Sequence, residues 1–407
     1  MGEPAAEALT LPEQSTTSLD FEYSPGETAD APLYEIEEAA SARTGMFSVP
    51  GLTPLVESWR TALDDLHRET GLRFAIAYTM LLQQATGSGG DRTGFSGDLD
   101  FMSDWTLVGR GTANAGRLIV TGEYRHSIGV QPPSDLRGEI GSLQSTTGGF
   151  NDRGWAVRDF HYTQRLFDGR LRLLAGRADA SDYVGGHRLQ GINNSFSNRN
   201  FSADSTTAYP AGHVTALGVS IRPVDQFYVT AGGTNAYGRS TINDMQYLDE
   251  GKFFTFGEAG FTPVIPNLGW GRYAVLLWHM DDRDLLNLPS DNGFTLIAEQ
   301  DFGERLLMFA RYGWADDGAL TGIKQSGQIG MGYRGLLGSP LNMTGAAFGV
   351  SDPTAAGQDP ESVFEVFHRF QLTAHTQFSV GFQSIFEPSR SDDDFVGVFT
   401  FRFRLAF

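Results

Sequence analysis

Charged side chains of both signs recur at alternate positions in several short segments of the chain. In one segment Glu123 and Arg125 flank Tyr124, and in another Glu365 and Arg369 have the opposite parity to Phe364. Because successive side chains of a β-strand point to opposite faces, this spacing places the charges on one face. Carboxylates and guanidiniums on such a face supply acceptors and donors that suit the hydroxyl groups of neutral polyols.

β-strands are needed to place these charges on one face. Sixteen runs of about ten residues alternate with the period of two that is typical of strands, and clusters of Gly, Asp, Asn and Pro separate the runs. The runs lie near residues 72–82, 97–107, 116–127, 154–166, 169–177, 213–221, 225–235, 251–260, 270–280, 293–301, 305–313, 324–334, 341–350, 362–373, 376–386 and 395–407. The expected fold class is all-β: a transmembrane antiparallel β-barrel of about 16 strands, with a short N-terminal helix and a flexible acidic N-terminal extension.

The connections between these runs alternate in length. Short ones lie at 167–169, 222–225, 301–304 and 372–375, and long ones lie near 128–153, 178–212 and 236–250. Outer-membrane barrels have short periplasmic turns and longer extracellular loops. We therefore expect a protein of the bacterial outer membrane whose N- and C-termini are both periplasmic.

The last segment shows the period of two most clearly. One face carries Phe395, Gly397, Phe399, Phe401, Phe403, Leu405 and Phe407, and the other carries Arg402 and Arg404. A stripe of Phe suits lipid, and a face of Arg suits a wet lumen. A soluble glycan-binding protein would expose this stripe to water, which invites aggregation.

Three kinds of residue are candidates to line a constriction of the lumen. They are charged strand residues of inward parity, polar residues of the longest connection, and two Trp whose flat faces suit sugar rings. The set is Glu123, Arg125, Asp159, Arg165, Arg188, Asn194, Trp278, Glu299, Arg311, Trp314, Glu365 and Arg369. An interfacial aromatic belt is an equal alternative for the two Trp, and a surface loop is the alternative for the long connection.

Several other functions are not supported by the sequence. A formal net charge of −19 disfavours nucleic acid as a partner. Residues 330–335 match a dinucleotide-binding pattern, but no β-α-β context surrounds them. The sequence contains no Gly-x-Ser-x-Gly elbow, the pattern that would indicate a hydrolase. Its 8 His lack the spacing of metal ligands. We therefore expect no enzyme activity, no cofactor and no metal site.

The start of the chain differs from the rest. Residues 1–50 are rich in Glu, Asp, Ala, Ser and Pro, and we expect a flexible acidic periplasmic extension. Thr53 as N-cap, Pro54 at the first helical position and Gly71 past the end predict a short amphipathic helix within residues 51–71, at the mouth of a barrel domain spanning 72–407. Since no basic or apolar leader pattern opens the sequence, we expect a mature chain.

Three stretches resemble the carbohydrate-selective porins of the OprB-like group: 291–313, 365–373 and 399–407. Residues 59–74 are also similar to the family's first helix and strand, although Glu57-Ser58-Trp59-Arg60 stands where the family usually has Gly-Asp-Trp-Gly. The resemblance implies a sixteen-stranded barrel, passive uptake of glucose and related sugars, and a constriction lined by Arg, Glu and aromatic residues. The terminal Phe407 is similar to the signal that the outer-membrane insertion machinery reads.

The expected function is therefore that of an outer-membrane porin for the passive diffusion of small carbohydrates through a polar constriction. A general or ion-preferring porin is the first alternative, and an outer-membrane β-barrel enzyme is a weaker one. The expected partners are small carbohydrates, outer-membrane lipid and lipopolysaccharide, and the insertion machinery. The chain is expected to be either a monomer or a homotrimer.

Overall fold

The computed structural model describes residues 31–40, 43–48, 51, 53–87, 90–210, 212–239, 241, 243–316 and 321–407. The strands are β1 (Leu72–Ala85), β2 (Thr93–Val108), β3 (Gly116–Ser127), β4 (Gly154–Leu166), β5 (Leu171–Ala178), β6 (Val214–Val224), β7 (Phe227–Asn235), β8 (Phe253–Phe261), β9 (Val264–Ile265), β10 (Gly269–Met280), β11 (Asp291–Phe302), β12 (Leu306–Ala315), β13 (Ile323–Arg334), β14 (Met343–Pro353), β15 (Glu361–Gln371), β16 (Thr376–Phe386) and β17 (Phe395–Ala406). The helices are α1 (Ala31–Ala40), α2 (Thr53–Thr70), α3 (Leu136–Ile140) and α4 (Arg199–Ser202), and 3-10 turns lie at Pro133–Asp135, Ala180–Asp182, Met245–Glu250 and Asp284–Leu286.

The sheet closes on itself because β1 pairs antiparallel with both β2 and β17. Ile76 and Phe407 exchange two backbone hydrogen bonds of 2.9 Å at this seam. The two-residue β9 pairs with β10, while β8 pairs directly with β10, so sixteen strands form the wall. The prediction of a closed antiparallel barrel of about sixteen strands is confirmed.

Side chains alternate across the wall as the period of two predicts. On β17, Phe399 and Phe401 are exposed on the outer surface, whereas Arg402 and Arg404 are buried inside. On β15, Phe364 is exposed and Glu365 is buried. The outer surface is therefore apolar, and the inner face carries charge.

One end of the barrel has short connections and the other has long ones. The short end includes the turns at 167–170, 303–305 and 372–375, and the long end includes 128–153 and 179–213. Both long segments fold into the barrel. Phe196 of 179–213 is fully buried and packs edge-on against the inward rings of Phe309 and Phe367. The alternative of a surface loop is therefore wrong for this connection.

A β-bulge interrupts the alternation in β4. Thr121 of β3 pairs with Asp159 while the next residue, Gly122, pairs with Val157, so Arg158 is the extra residue. A bulge of this kind re-aims the side chains on either side of it. As a result Arg158 and Asp159 are both buried inside the barrel, although they are neighbours in sequence.

The described part of residues 1–50 differs from the flexible extension that composition predicts. Residues 31–40 form α1, whose Ile36 and Ala39 are buried against apolar side chains of the inner wall. Residues 1–30, 41, 42, 49 and 50 lie outside the described residues. α2 lies at the short-connection end, where Arg110 of the β2–β3 turn donates to the carbonyls of Glu69 and Thr70 at 3.0 and 2.6 Å. No helix within the described ranges has the length and apolarity needed to cross a membrane.

Candidate pore constriction

Arg158, which the bulge turns inward, contacts carboxylates from four different parts of the chain. Its Nη1 lies 3.1 Å from Glu35 of α1, 3.7 Å from Asp100 of β2 and 3.9 Å from Glu123 of β3. Its Nη2 lies 3.8 Å from Asp182 of the connection 179–213. Strict alternation along β4 gives Arg158 and Asp159 opposite faces, so sequence reasoning identified Asp159 and missed Arg158.

The candidates Glu123 and Arg125 lie beside Arg158. Arg125 Nη2 lies 2.7 Å from Glu123, and its Nε lies 3.2 Å from Asp98. Arg153 also pairs with Glu123. We call this group the first charge cluster, and its members are Asp98, Asp100, Glu123, Arg125, Arg153 and Arg158. The buried Asp159 lies at its side, 3.7 Å from His161 Nδ1.

Glu299 is the centre of a second group of buried charges. Arg272 Nη1 lies 3.0 Å from Glu299, and Arg272 Nη2 lies 2.8 Å from Glu258. The backbone N–H of Arg188 donates to Glu299 at 2.8 Å, and the Arg188 guanidinium lies 4.4 Å from the ring centroid of Trp270. Two predicted residues far apart in sequence, Arg188 and Glu299, are thus in direct contact.

Three further candidates bind the backbone of the connection 179–213 and fix its path inside the barrel. The Glu365 carboxylate accepts hydrogen bonds from the N–H groups of Ser197 and Asn198 at 2.8 and 2.9 Å. Arg369 Nη1 donates to the carbonyl of Asn194 at 3.0 Å. Arg311 donates to the carbonyl of Gly185 at 3.2 Å and to that of Ala203. The connection 179–213 is therefore bonded to the inner faces of β12 and β15.

The two Trp candidates do not present open faces to the lumen. Trp278 is buried in an apolar cluster with Phe254 of β8 and with Val184 of the infolded connection. Trp314 has the outward parity of β12 and stacks on Phe294 at 5.8 Å, with Lys324 Nζ 5.3 Å from its ring centroid. This placement favours the interfacial alternative for Trp314 and corrects its assignment to the lumen.

Arg165 lies apart from the charge clusters. It is one residue from the end of β4, at the short-connection end, opposite Arg172 of β5. Its backbone N–H donates to the carbonyl of Ala115 at 3.0 Å. Arg165 keeps the inward parity that the sequence predicts, but near one mouth of the barrel.

Burial changes the protonation of groups on the infolded connection. Burial and the neighbouring Asp179 raise the pKa of Asp182 well above its ordinary value, against the opposing effect of Arg158. Burial and the nearby Arg311 lower the pKa of His187 well below its ordinary value. A neutral His187 donates from Nε2 to the carbonyl of Phe201 at 2.8 Å. These shifts favour the protonated, uncharged form of Asp182 and the neutral form of His187.

Within the part of the chain that the structure describes, two sets of side chains have the spacing of metal ligands. They are Asp159, Asp182 and His213, and Asp98, Asp100 and Glu123, each with ligand atoms within 4.8 Å of one another. The Arg158 guanidinium lies within 3.9 Å of members of both sets. A positive charge is thus already present where a cation would bind, and the arrangement suits polar solutes better than a metal ion.

Comparisons with known proteins agree with this architecture. The model of a family described as carbohydrate-selective porin, OprB family, matches residues 97–407. The high-pH structure of Pseudomonas putida OprB superposes with a TM-score of 0.69 at 16% identity, covering 86% of this chain and 97% of that chain. The low-pH structure of the same protein gives a TM-score of 0.55 at 16% identity, covering 90% and 99%. A triple mutant of Rhodopseudomonas blastica porin gives 0.53 at 11% identity, covering 83% and 100%. No curated protein sequence matches the chain.

Proposed function

Since the chain belongs to the carbohydrate-selective porin, OprB family, and is therefore an outer-membrane sugar porin, we propose that its selectivity arises between the first charge cluster and the connection 179–213. Small neutral carbohydrates such as glucose cross this constriction by passive diffusion and leave unchanged. The infolded connection narrows the barrel, and the charges beside it provide the hydrogen bonds that replace those of water. The alternative is a general or ion-preferring porin, in which sugars do not bind at the constriction.

The observation that carries the proposal is a mixed-sign group of charged side chains on the inner wall. Arg125 and Arg153 keep 10% and 16% of their side-chain surface exposed beside the carboxylate of Glu123. A sugar hydroxyl both donates and accepts, so it can bond to a carboxylate and a guanidinium at once. A ring of charges of one sign would instead favour ions of the other sign.

We also propose an orientation and boundaries for the protein. The long connections face the cell exterior, where they contact lipopolysaccharide, and the short turns and both termini face the periplasm. Residues 72–407 form one barrel domain, and the helix within 51–71 lies at its periplasmic mouth. The exposed Phe stripe of β17 contacts outer-membrane lipid, and the terminal Phe407 is read by the insertion machinery. The unequal lengths of the connections support this orientation.

The test is the single-channel conductance of the detergent-purified protein in a planar bilayer, titrated with glucose, maltose and gluconate. If the proposal is right, glucose reduces the ion current saturably, because sugar occupies the same narrow passage as the ions. Gluconate, which has a similar size and a negative charge, is the matched control for size. Channels that open normally and ignore glucose would show a general diffusion porin instead.

A further inference from the structure

α1 covers an apolar patch on the inner wall of the barrel. The patch consists of Ala75 and Ala77 of β1, Met102 of β2 and Ile119 of β3, all buried. Ile36 of α1 is fully buried against it, and Ala39 is 2% exposed. Most inward positions nearby carry charge, as in the first charge cluster, so this patch suits a packed segment better than water. We call it the wall patch.

Two ion pairs hold α1 over the wall patch. Glu35 lies 3.1 Å from Arg158, and Glu37 lies 2.9 Å from Arg73 at the start of β1. The Glu37 side chain is half exposed, so water screens its pair. Arg158 is almost fully buried, which makes the Glu35 pair the stronger restraint. Because Glu35 contacts Arg158, α1 is in direct contact with the first charge cluster.

Residues 45–47, which follow α1 in the sequence, contact the end of β15 and the short turn between β15 and β16. The N–H groups of Met46 and Phe47 donate to the carbonyls of Gln371 and Leu372 at 2.9 and 2.8 Å. Gly45 passes so close that a Cβ atom there would lie 2.3 Å from Thr373 Cα. α1 contacts β1, β2 and β3, whereas residues 45–47 contact the end of β15, so the two contacts lie on opposite sides of the seam between β1 and β17.

From these contacts we infer that α1 is a second constriction of the pore and that Glu35 is a specificity-determining residue. A helix with its side chains is about 10 Å wide, and a sixteen-stranded barrel leaves an aqueous channel of limited width. A helix seated on the wall therefore removes a large part of the cross-section, and it limits the size of the sugar that passes. Glu35 adds a carboxylate beside Arg158, within reach of a passing hydroxyl. This inference rests on the proposed sugar pore.

The test compares the full chain with two variants that remove α1 from the wall in different ways. Deletion of residues 31–40 removes the helix, and Ile36→Asp buries a charge against the wall patch. We expect both variants to raise the single-channel conductance in KCl roughly twofold or more. We also expect maltose to enter liposomes that contain either variant and to be excluded from liposomes that contain the parent protein. Glu57→Gln, on the exposed face of α2, is the control and should change neither quantity.

Glu35→Gln separates charge from bulk, because it keeps the size of the side chain. We expect a weaker block of the current by glucose and little change in conductance. Folding is checked by the difference in migration between unheated and heated protein in detergent gels. If conductance and maltose exclusion are unchanged in folded Ile36→Asp, the inference is wrong. If glucose fails to block the parent protein but these variants still widen the channel, the sugar function fails and the second constriction stands.

Discussion

At the scale of single residues, Arg158 determines the electrostatics of the constriction. One guanidinium faces carboxylates from α1, β2, β3 and the connection 179–213. Buried charges are tolerated when they are paired, and removal of one partner leaves the others uncompensated. The local charge therefore depends more on Arg158 than on any predicted candidate.

We expect Arg158→Met to make the channel more selective for cations and to weaken the block by glucose. The substitution leaves Glu35, Asp100 and Glu123 without the guanidinium that they share. The reversal potential in a gradient of KCl measures the change. Arg170→Met, at an exposed pair with Asp225 in a short turn, is the matched control. An unchanged reversal potential in Arg158→Met would place the selectivity elsewhere.

At the scale of elements, the strands were predictable from the sequence, whereas the infolded connection 179–213 was one of two alternatives that the sequence left open. Alternation along β17 identified its two faces because lipid and lumen demand opposite side chains at neighbouring positions. The bulge at Arg158 shifts the alternation by one residue, from outward Trp155 and Val157 to outward Phe160, and a strict period of two does not allow for that shift. The polar connection 179–213 resembles a surface loop in sequence, because its backbone bonds to Glu365 and Arg369 depend on residues far along the chain. For the same reason α1 resembles a solvated acidic segment.

The infolded connection also depends on small residues in the wall. Gly349 of β14 faces α4, and a Cβ atom there would lie 2.7 Å from Asn200 Nδ2. We expect Gly349→Val to push α4 off the wall, raise the noise of the open-channel current and weaken the glucose block. Gly327→Val is the matched control, because the nearest atom to its added Cβ lies 3.8 Å away. Equal currents in both variants would contradict a close fit between the connection and the wall.

At the scale of the whole molecule, the outer surface of the barrel is apolar and suits a lipid environment. Exposed apolar side chains such as Phe399, Phe401, Leu296 and Ile329 lie on the outer parity of distant strands. Such a surface is stable in lipid and is a liability in water. The apolar exterior and the charged interior are formed by alternate residues of the same strands. A shift of one residue in a strand would therefore place charges in lipid and apolar side chains in the lumen.

We expect Phe401→Arg to lower the free energy of unfolding by roughly 2–4 kcal/mol, the cost of a guanidinium on the lipid face near mid-membrane. Phe401 lies near the middle of β17, with its side chain exposed outside. Reversible urea unfolding in liposomes measures the change, with Phe401→Leu as the control for lost aromatic area. A loss below 1 kcal/mol would indicate that this position lies outside the hydrocarbon layer.

The seam between Ile76 and Phe407 has a consequence for biogenesis. The two strands that close the ring come from opposite ends of the strand-forming sequence, so closure requires that β17 has already been synthesised. Until that moment the growing sheet has two unpaired edges, which can template pairing with other chains. Joining partners so distant in sequence is also intrinsically slow. The nascent chain must therefore be shielded from its neighbours during the whole interval between synthesis and ring closure.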